Sequence, residues 1–209
     1  MKVKQFSLDL IAAFILLSFF LLSSIQIASL KPVVFFFQDI SGVYEGADFG
    51  FKKEVIQEAT EETLDYVKGA NLNLPYTQRE KFHLAEVRSL FLNIRKVWLV
   101  SVILTFGILL LIHLKVLQWQ ERIKVITKSL TIFCLVLDLG LLFLFPHFFT
   151  VFHQILFSPG TWEFAKEDLL TALFPYQFWV MQTIFVLSFS AFLSAISFFV
   201  LRLLYLLAK

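Results

Sequence analysis

The chain has 209 residues, of which 58% are hydrophobic and only 16% are charged, and its formal net charge is +2 at pH 7. Ordinary soluble domains carry about 25% charged residues, so this composition excludes a soluble globular protein and indicates an integral membrane protein. Since no long Lys or Arg run is present, we expect no nucleic-acid partner. A single cysteine, Cys134, excludes an intramolecular disulfide and a multi-cysteine metal site.

Four apolar stretches approach or exceed the roughly 20 residues that a helix needs to cross the hydrocarbon core. They run over residues 10–30, 97–116, 123–145 and 178–207. The first is longer than an ordinary signal core and has no clean cleavage site, so we interpret it as an uncleaved anchor. The sequence therefore predicts an all-α integral membrane protein with four transmembrane helices.

The positively charged residues predict the orientation of these spans, because Lys and Arg near span ends stay preferentially in the cytoplasm. They concentrate at the amino terminus, between the second and third spans and at the carboxyl end: Lys2, Lys4, Lys115, Arg122, Lys124, Lys128, Arg202 and Lys209. We therefore expect both termini in the cytoplasm.

The predicted spans divide the chain into five segments, of which two face outward. These segments are 1–30 (first span), 31–96 (extracytoplasmic cap), 97–145 (second and third spans with a cytoplasmic loop), 146–177 (extracytoplasmic and aromatic-rich) and 178–209 (fourth span). A connection as long as 31–96 usually has structure of its own, so we expect a small, mostly helical cap.

Local patterns within the cap predict its elements. Residues 33–37 form a short apolar run that fits either a strand or a piece lying on the bilayer. Residues 52–67 predict a helix, which Gly69 stops. Thr77 and Glu80 have the spacing of a capping box, so a second cap helix is predicted to begin there.

His83, on this second helix, is the first candidate site residue. Glu80 and Glu86 each lie three residues from it and border its face. A carboxylate so placed could hold the imidazole in one tautomer and stabilise its cation. A straight helix from His83 to Val97 would raise the imidazole about 21 Å above the membrane entry point. We therefore predict that this helix bends, tilts or breaks, with a break expected near Asn93.

His153 is the second candidate, in an aromatic stretch that follows the third span and its terminating Pro146. Phe152, Phe157 and Trp162 are candidates for a wall that binds the substrate. Because imidazole titrates near neutral pH, two histidines meeting at one membrane face could move protons during acyl chemistry.

Between these aromatic residues, 158–161 predicts a turn whose backbone N–H groups could stabilise an oxyanion. Thr161 could cap a short helix that ends near Leu173.

The remaining polar residues in apolar surroundings are assigned structural roles. His147 and His113 are expected to be anchors. Asp138 lies within the third span, where a carboxylate is costly in lipid, so we expect it to pair inside the helix bundle.

In their order and spacing, these motifs resemble those of bacterial lipoprotein intramolecular transacylases and the wider four-span family that contains them. The similarity extends over essentially the whole chain. It is carried by Arg79-Glu80-Lys81-Phe82-His83-Leu84-Ala85-Glu86-Val87, Phe152-His153-Gln154-Ile155-Leu156-Phe157, Trp162 and Leu173-Phe174-Pro175-Tyr176-Gln177-Phe178-Trp179.

This resemblance implies that His83 and His153 are catalytic, and that an Asp usual in the family is replaced here by Glu86. It implies acyl transfer from the sn-2 position of a diacylglyceryl lipoprotein to the α-amine of its N-terminal cysteine. The partners would be that lipoprotein and membrane lipid, with no cofactor or metal, at the outer face of the bacterial cytoplasmic membrane. One histidine would act as base and the other as acid. We interpret His83 as the base, because Glu80 and Glu86 would raise its proton affinity.

Two other classes of function stay open on sequence grounds. A metal-dependent membrane hydrolase would need a ligand set, for which four scattered histidines give little support. A noncatalytic membrane adaptor would use the acidic cap to bind a partner, and its function would survive replacement of both histidines.

Overall fold

The computed structural model describes residues 2–44, 53–113 and 120–207. Within these ranges every regular element is a helix, which confirms the prediction of an all-helical chain. The helices are α1 (Lys2–Ala28), α2 (Lys31–Ile40), α3 (Lys53–Lys68), α4 (Gln78–His113), α5 (Gln120–Leu156), α6 (Leu169–Leu173) and α7 (Tyr176–Leu207).

Three helical stretches are long and apolar enough to cross a membrane: Leu8–Ala28, Gln78–Leu111 and Tyr176–Leu203. The two parts of α5, Arg122–Leu141 and Phe143–Leu156, meet the same criteria only as a pair and would be a fourth span. The chain is therefore a membrane protein with three or four candidate spans.

Only part of α4 fits within a bilayer. At about 1.5 Å per residue its 36 residues extend about 54 Å, whereas the hydrocarbon core is about 30 Å thick. The amino-terminal part contains seven Glu, Lys and Arg side chains: Arg79, Glu80, Lys81, Glu86, Arg88, Arg95 and Lys96. We therefore take residues 97–113 as the membrane-spanning part of α4, which leaves His83 outside it.

The described helices group into two compact units, which we treat separately. The first contains Met1–Gln26, Arg95–Gly140 and Phe185–Lys209, and the second contains Ile27–Ile94 and Leu141–Ile184. Both candidate histidines belong to the second unit.

Small hydroxyl residues connect the helices of the first unit, as is common where helices pack in membranes. The Ser190 hydroxyl lies 2.9 Å from that of Ser24, and the Ser194 hydroxyl donates to the Thr127 carbonyl oxygen at 2.6 Å. Asp138 is buried and accepts a hydrogen bond from Ser188 at 2.8 Å. The prediction that Asp138 pairs inside the bundle is confirmed.

A fully buried glutamine connects three elements of the second unit. The Gln38 side-chain amide donates to the Thr60 hydroxyl at 2.9 Å and to the Leu173 carbonyl oxygen at 2.8 Å. Its oxygen accepts a hydrogen bond from the Tyr44 hydroxyl at 3.1 Å. One side chain on α2 therefore holds α3 and the end of α6 together.

Replacing Gln38 with leucine is expected to lower the free energy of unfolding by about 2–4 kcal/mol, because it leaves buried polar groups of Thr60 and Leu173 without a partner. Thermal unfolding of the detergent-solubilised protein measures this loss. The control is Gln154→Leu, at an exposed position, where no comparable shift is expected. Equal midpoints for the two variants would contradict the role given to Gln38.

The predicted cap elements compare with the structure as follows. Residues 33–37 form part of helix α2, so the strand alternative is wrong; Pro32 fits its first turn, where a missing N–H costs nothing. The helix predicted over 52–67 is observed as α3, and Gly69 follows it with φ +125°, a backbone angle that favours glycine. The two outcomes differ because five consecutive apolar residues are too few to distinguish a helix from a strand, whereas residues 52–67 are long enough to do so.

The start of α4 is the predicted capping box. The Thr77 N–H donates to a carboxylate oxygen of Glu80 at 2.8 Å, and the Glu80 N–H donates to the Thr77 hydroxyl at 3.3 Å. From there α4 continues unbroken to His113, so the break predicted near Asn93 is wrong.

Helix α5 also differs from its prediction, because it passes through Pro146 and continues to Leu156. Proline removes one backbone hydrogen bond from a helix, but packing on both sides of it can hold the helix together. Here the Phe145 and Phe149 rings lie 5.3 and 6.4 Å from the ring of Tyr176. The short helix predicted from Thr161 is observed only as α6, Leu169–Leu173.

Candidate active site

The structure brings His83 of α4 and His153 of α5 together. Their ring centroids are 6.2 Å apart and their planes differ by 24°. His153 lies on Phe143–Leu156, the second part of α5, in the same unit as His83. The two residues that were expected to converge therefore do so, without the predicted break in α4.

The tautomer of His153 follows from its hydrogen bond. Its Nδ1 lies 2.7 Å from the carbonyl oxygen of Phe149, one helical turn earlier. Since a carbonyl oxygen only accepts, Nδ1 carries the proton and Nε2 of the neutral ring carries a lone pair. His153 is thereby held with a basic nitrogen available to a substrate.

His83 lies in more enclosed surroundings, with 8% of its surface exposed. The rings of Phe157 and Phe164 lie 4.6 and 5.4 Å from its ring. Its Nδ1 is buried without a hydrogen-bond partner, and a carboxylate oxygen of Glu86 lies 4.0 Å away.

Burial, which has the largest effect, and the neighbouring imidazole of His153 together lower the pKa of His83 to about 4, although the charge of Glu86 acts in the opposite direction. Glu86 thus raises the proton affinity of His83 as expected, but burial outweighs it, and the pKa falls instead of rising. His83 is neutral at neutral pH.

An NMR titration of histidine labelled with ¹⁵N is expected to show a neutral His83 ring until the pH approaches about 4. The folded pKa lies below the unfolded value of 6.5, so the unfolded chain binds the proton more readily and His83 lowers stability as pH falls from 6.5 towards 4. His83→Gln identifies the signal, and Glu86→Gln should lower the pKa further. A midpoint at or above 6.5 would contradict this account.

Glu86 is bonded to a segment that lies far from it in sequence. One carboxylate oxygen accepts the N–H of Ser158 at 3.0 Å, and the other accepts the hydroxyl of Thr161 at 2.8 Å. Burial opposes the charge of Glu86, but these hydrogen bonds outweigh it and lower the pKa of the carboxyl group. The Thr161 N–H donates to the Ser158 carbonyl oxygen at 3.2 Å. Of the backbone N–H groups expected to stabilise an oxyanion, those of Ser158 and Thr161 are thus already engaged.

Glu80 takes the predicted capping-box position, and its carboxylate also bonds to α6. It is 1% exposed, and its oxygens accept hydrogen bonds from the Thr77 N–H and hydroxyl and from the Leu170 N–H. These bonds join the start of α4 to α6. Both oxygens of Glu80 are occupied by these hydrogen bonds. Glu80 therefore does not orient His83, whose Nδ1 has no hydrogen-bond partner among the described residues.

Aromatic rings surround the histidines, including the three predicted ones. Phe152, Phe157 and Trp162 have ring centroids 5.4, 5.2 and 5.0 Å from that of His153. Phe149, at 4.1 Å, was not among the predicted site residues, although its i−4 spacing from His153 would reveal it once 146–156 is taken as helix. Phe164 had no comparable sequence signal.

The other histidines and possible metal ligands add little to this cluster. His147 is exposed, and the side chain of His113 lies outside the described residues. Among the residues that the structure describes, no group of three or more His, Cys, Asp or Glu side chains is arranged to hold a metal ion.

Comparison with solved structures shows the same fold over nearly the whole chain. The in meso structure of the membrane integral lipoprotein intramolecular transacylase Lit from Bacillus cereus has a TM-score of 0.77 and 20% identity, and covers 97% of each chain. The same protein with a histidine-to-arginine mutation has a TM-score of 0.71 and 19% identity, covering 99% of this chain and 97% of that one.

Sequence comparison gives a relative and a family. A protein from Aquifex aeolicus (strain VF5), described as uncharacterized, is 32% identical over 137 residues, which are 64% of this chain and 60% of that relative's length. The family model described as lipoprotein intramolecular transacylase Lit matches residues 10–179. Since this match covers well over half of the chain, the protein belongs to the lipoprotein intramolecular transacylase Lit family.

Proposed function

We propose that this protein is an acyltransferase that acts on a diacylglyceryl lipoprotein. It would move the acyl chain from the sn-2 oxygen of the glycerol to the α-amine of the N-terminal cysteine in the same molecule, giving an N-acyl, lyso-form lipoprotein. Family membership supports the reaction class. The observation that carries the chemistry is the pair of imidazoles, 6.2 Å apart, among aromatic rings.

The attacking nitrogen must lose two protons, the first because an ammonium group is no nucleophile and the second as the amide forms. After the ammonium loses one proton to water, the amine nitrogen attacks the ester carbonyl carbon, and a C–N bond forms. His153 is suited to take the second proton, since its Nε2 carries a lone pair and the Phe149 carbonyl oxygen stabilises the imidazolium through Nδ1. This assignment replaces the interpretation of His83 as the base.

The same proton completes the transfer. As the tetrahedral intermediate collapses, the bond between the acyl carbon and the glycerol oxygen breaks, and the imidazolium of His153 gives its proton to that oxygen. The neutral His83 would hydrogen-bond the substrate beside it. Because ester and amine belong to one molecule, holding them in reactive geometry would supply much of the rate enhancement.

Exposed apolar side chains near His153 support a lipid substrate. On the same part of α5, Phe148, Phe152, Ile155 and Leu156 are 38, 37, 74 and 42% exposed. An acyl chain could reach the imidazole along such a surface without leaving an apolar environment. From the distribution of Lys and Arg we assign the site to the outer face of the bacterial cytoplasmic membrane, with both termini cytoplasmic.

The test is expression in bacterial cells that lack other N-acylating activity, followed by mass spectrometry of lipoprotein amino termini. The expected product is the N-acyl, lyso form, with unchanged total acyl content. Diacylglyceryl lipoprotein with a free amine, found despite good membrane expression, would reject the proposal.

A further inference from the structure

A single turn carries two of the aromatic rings that border the histidines. The turn comprises residues 158–161 and contains Gly160 at φ +78°. Phe157 precedes it, with its ring 4.6 Å from that of His83, and Trp162 follows it, with its ring 5.0 Å from that of His153. Any shift of this turn would therefore move both rings.

The position of the turn is fixed by a residue outside it. Helix α5 ends at Leu156, so the turn lacks the hydrogen-bond ladder of a helix. Glu86 of α4 accepts the Ser158 N–H at the first residue of the turn and the Thr161 hydroxyl at its last, and this hydroxyl, which has a single proton, also lies 2.8 Å from the Ser158 carbonyl oxygen. Hydrogen bonds to a carboxylate belong to the stronger class, and two of them at opposite ends restrain translation and rotation together.

The Glu86 carboxylate is too far from His83 to form a hydrogen bond with it. The separation of 4.0 Å between a Glu86 oxygen and Nδ1 of His83 exceeds hydrogen-bond length, and Nδ1 has no hydrogen-bond partner. Both oxygens of Glu86 are bonded to the turn instead. The main action of Glu86 is thus on the aromatic rings beside the histidines.

We infer that Glu86 is a positioning residue, which clamps the 158–161 turn to α4 and thereby holds Phe157 and Trp162 against the two imidazoles. This inference rests on the proposed function, since it assigns these rings to the acyl-transfer site. It assigns Thr161 a role through its hydroxyl, as the second half of the clamp.

The decisive pair of variants is Thr161→Val and Thr161→Ser, assayed in the same cells by conversion of diacylglyceryl lipoprotein. Valine removes the hydroxyl at constant shape, and conversion is expected to fall about tenfold. Serine keeps the hydroxyl and should restore conversion to within about twofold of the unmodified protein. Equal conversion by the valine and serine variants would overturn the inference.

A double-variant comparison tests whether Thr161 acts through Glu86. Glu86→Ala removes both bonds and is expected to lower conversion about a hundredfold; adding Thr161→Val should lower it no further. A further tenfold fall in the double variant would overturn the clamp. If Glu86→Ala does not fold, the comparison of Thr161→Val with Thr161→Ser still tests the inference.

Hydrogen exchange provides a readout independent of activity. Peptides covering 157–162 should exchange faster in Thr161→Val than in Thr161→Ser, because the turn is released. If exchange is faster but conversion is unchanged, Glu86 and Thr161 hold the turn without affecting the reaction. That result would overturn the positioning role. Absence of conversion by the unmodified protein would instead reject the proposed function, whichever way the exchange result falls.

Discussion

His153→Ala is expected to reduce conversion of diacylglyceryl lipoprotein by at least about a hundredfold, because a positioned general base contributes roughly 10²–10⁴ in rate. Alanine removes the Nε2 lone pair and the Nδ1–H bond to Phe149 together. Mass spectrometry of lipoprotein amino termini measures the loss, with the amount of folded enzyme matched by size-exclusion chromatography.

The matched control is His147→Ala, which removes an exposed histidine from the same helix and should keep full conversion. His83→Ala is expected to lower conversion as well, since His83 would hydrogen-bond the substrate. Full conversion by His153→Ala would remove this residue from the mechanism. A cellular function that survives replacement of both histidines, together with no conversion by the unmodified protein, would favour the noncatalytic adaptor.

The second large effect concerns stability. Glu80→Ala is expected to lower the free energy of unfolding by about 3–5 kcal/mol, because it leaves the N–H groups of Thr77 and Leu170 without their carboxylate acceptor in a buried site. Chemical or thermal unfolding in detergent measures the difference. Glu80→Gln should lie between alanine and the native residue, since its amide offers one oxygen instead of two.

Glu58→Ala is the control for Glu80→Ala, because Glu58 is an exposed glutamate within α3, where a change within about 0.5 kcal/mol is expected. The two roles considered for Glu80 differ in outcome. An orienting role predicts a stable protein with low conversion, whereas a framework role predicts a lower unfolding midpoint. A stable but inactive Glu80→Ala protein would contradict the framework role of Glu80 and favour the orienting role.

The site was predictable from sequence to different degrees for different residues. The histidines and the rings of Phe152, Phe157 and Trp162 were expected from their motifs, and the structure brings them together. Their catalytic and substrate-binding roles stay predictions. The bond from Leu170 to Glu80 and the bond from Ser158 to Glu86 were not predictable, because these partners lie 90 and 72 residues away in the chain.

By itself the sequence determined the class of protein and several local elements. A composition that is 58% hydrophobic requires a membrane, and the capping box at Thr77 and the glycine at position 69 mark helix boundaries. These signals succeed because they act over a few residues. Only the tertiary structure decided that α5 continues through Pro146, that Glu86 holds a distant turn, and that burial rather than nearby carboxylates governs the charge of His83. Each of these depends on groups brought close by packing, which local pattern does not encode.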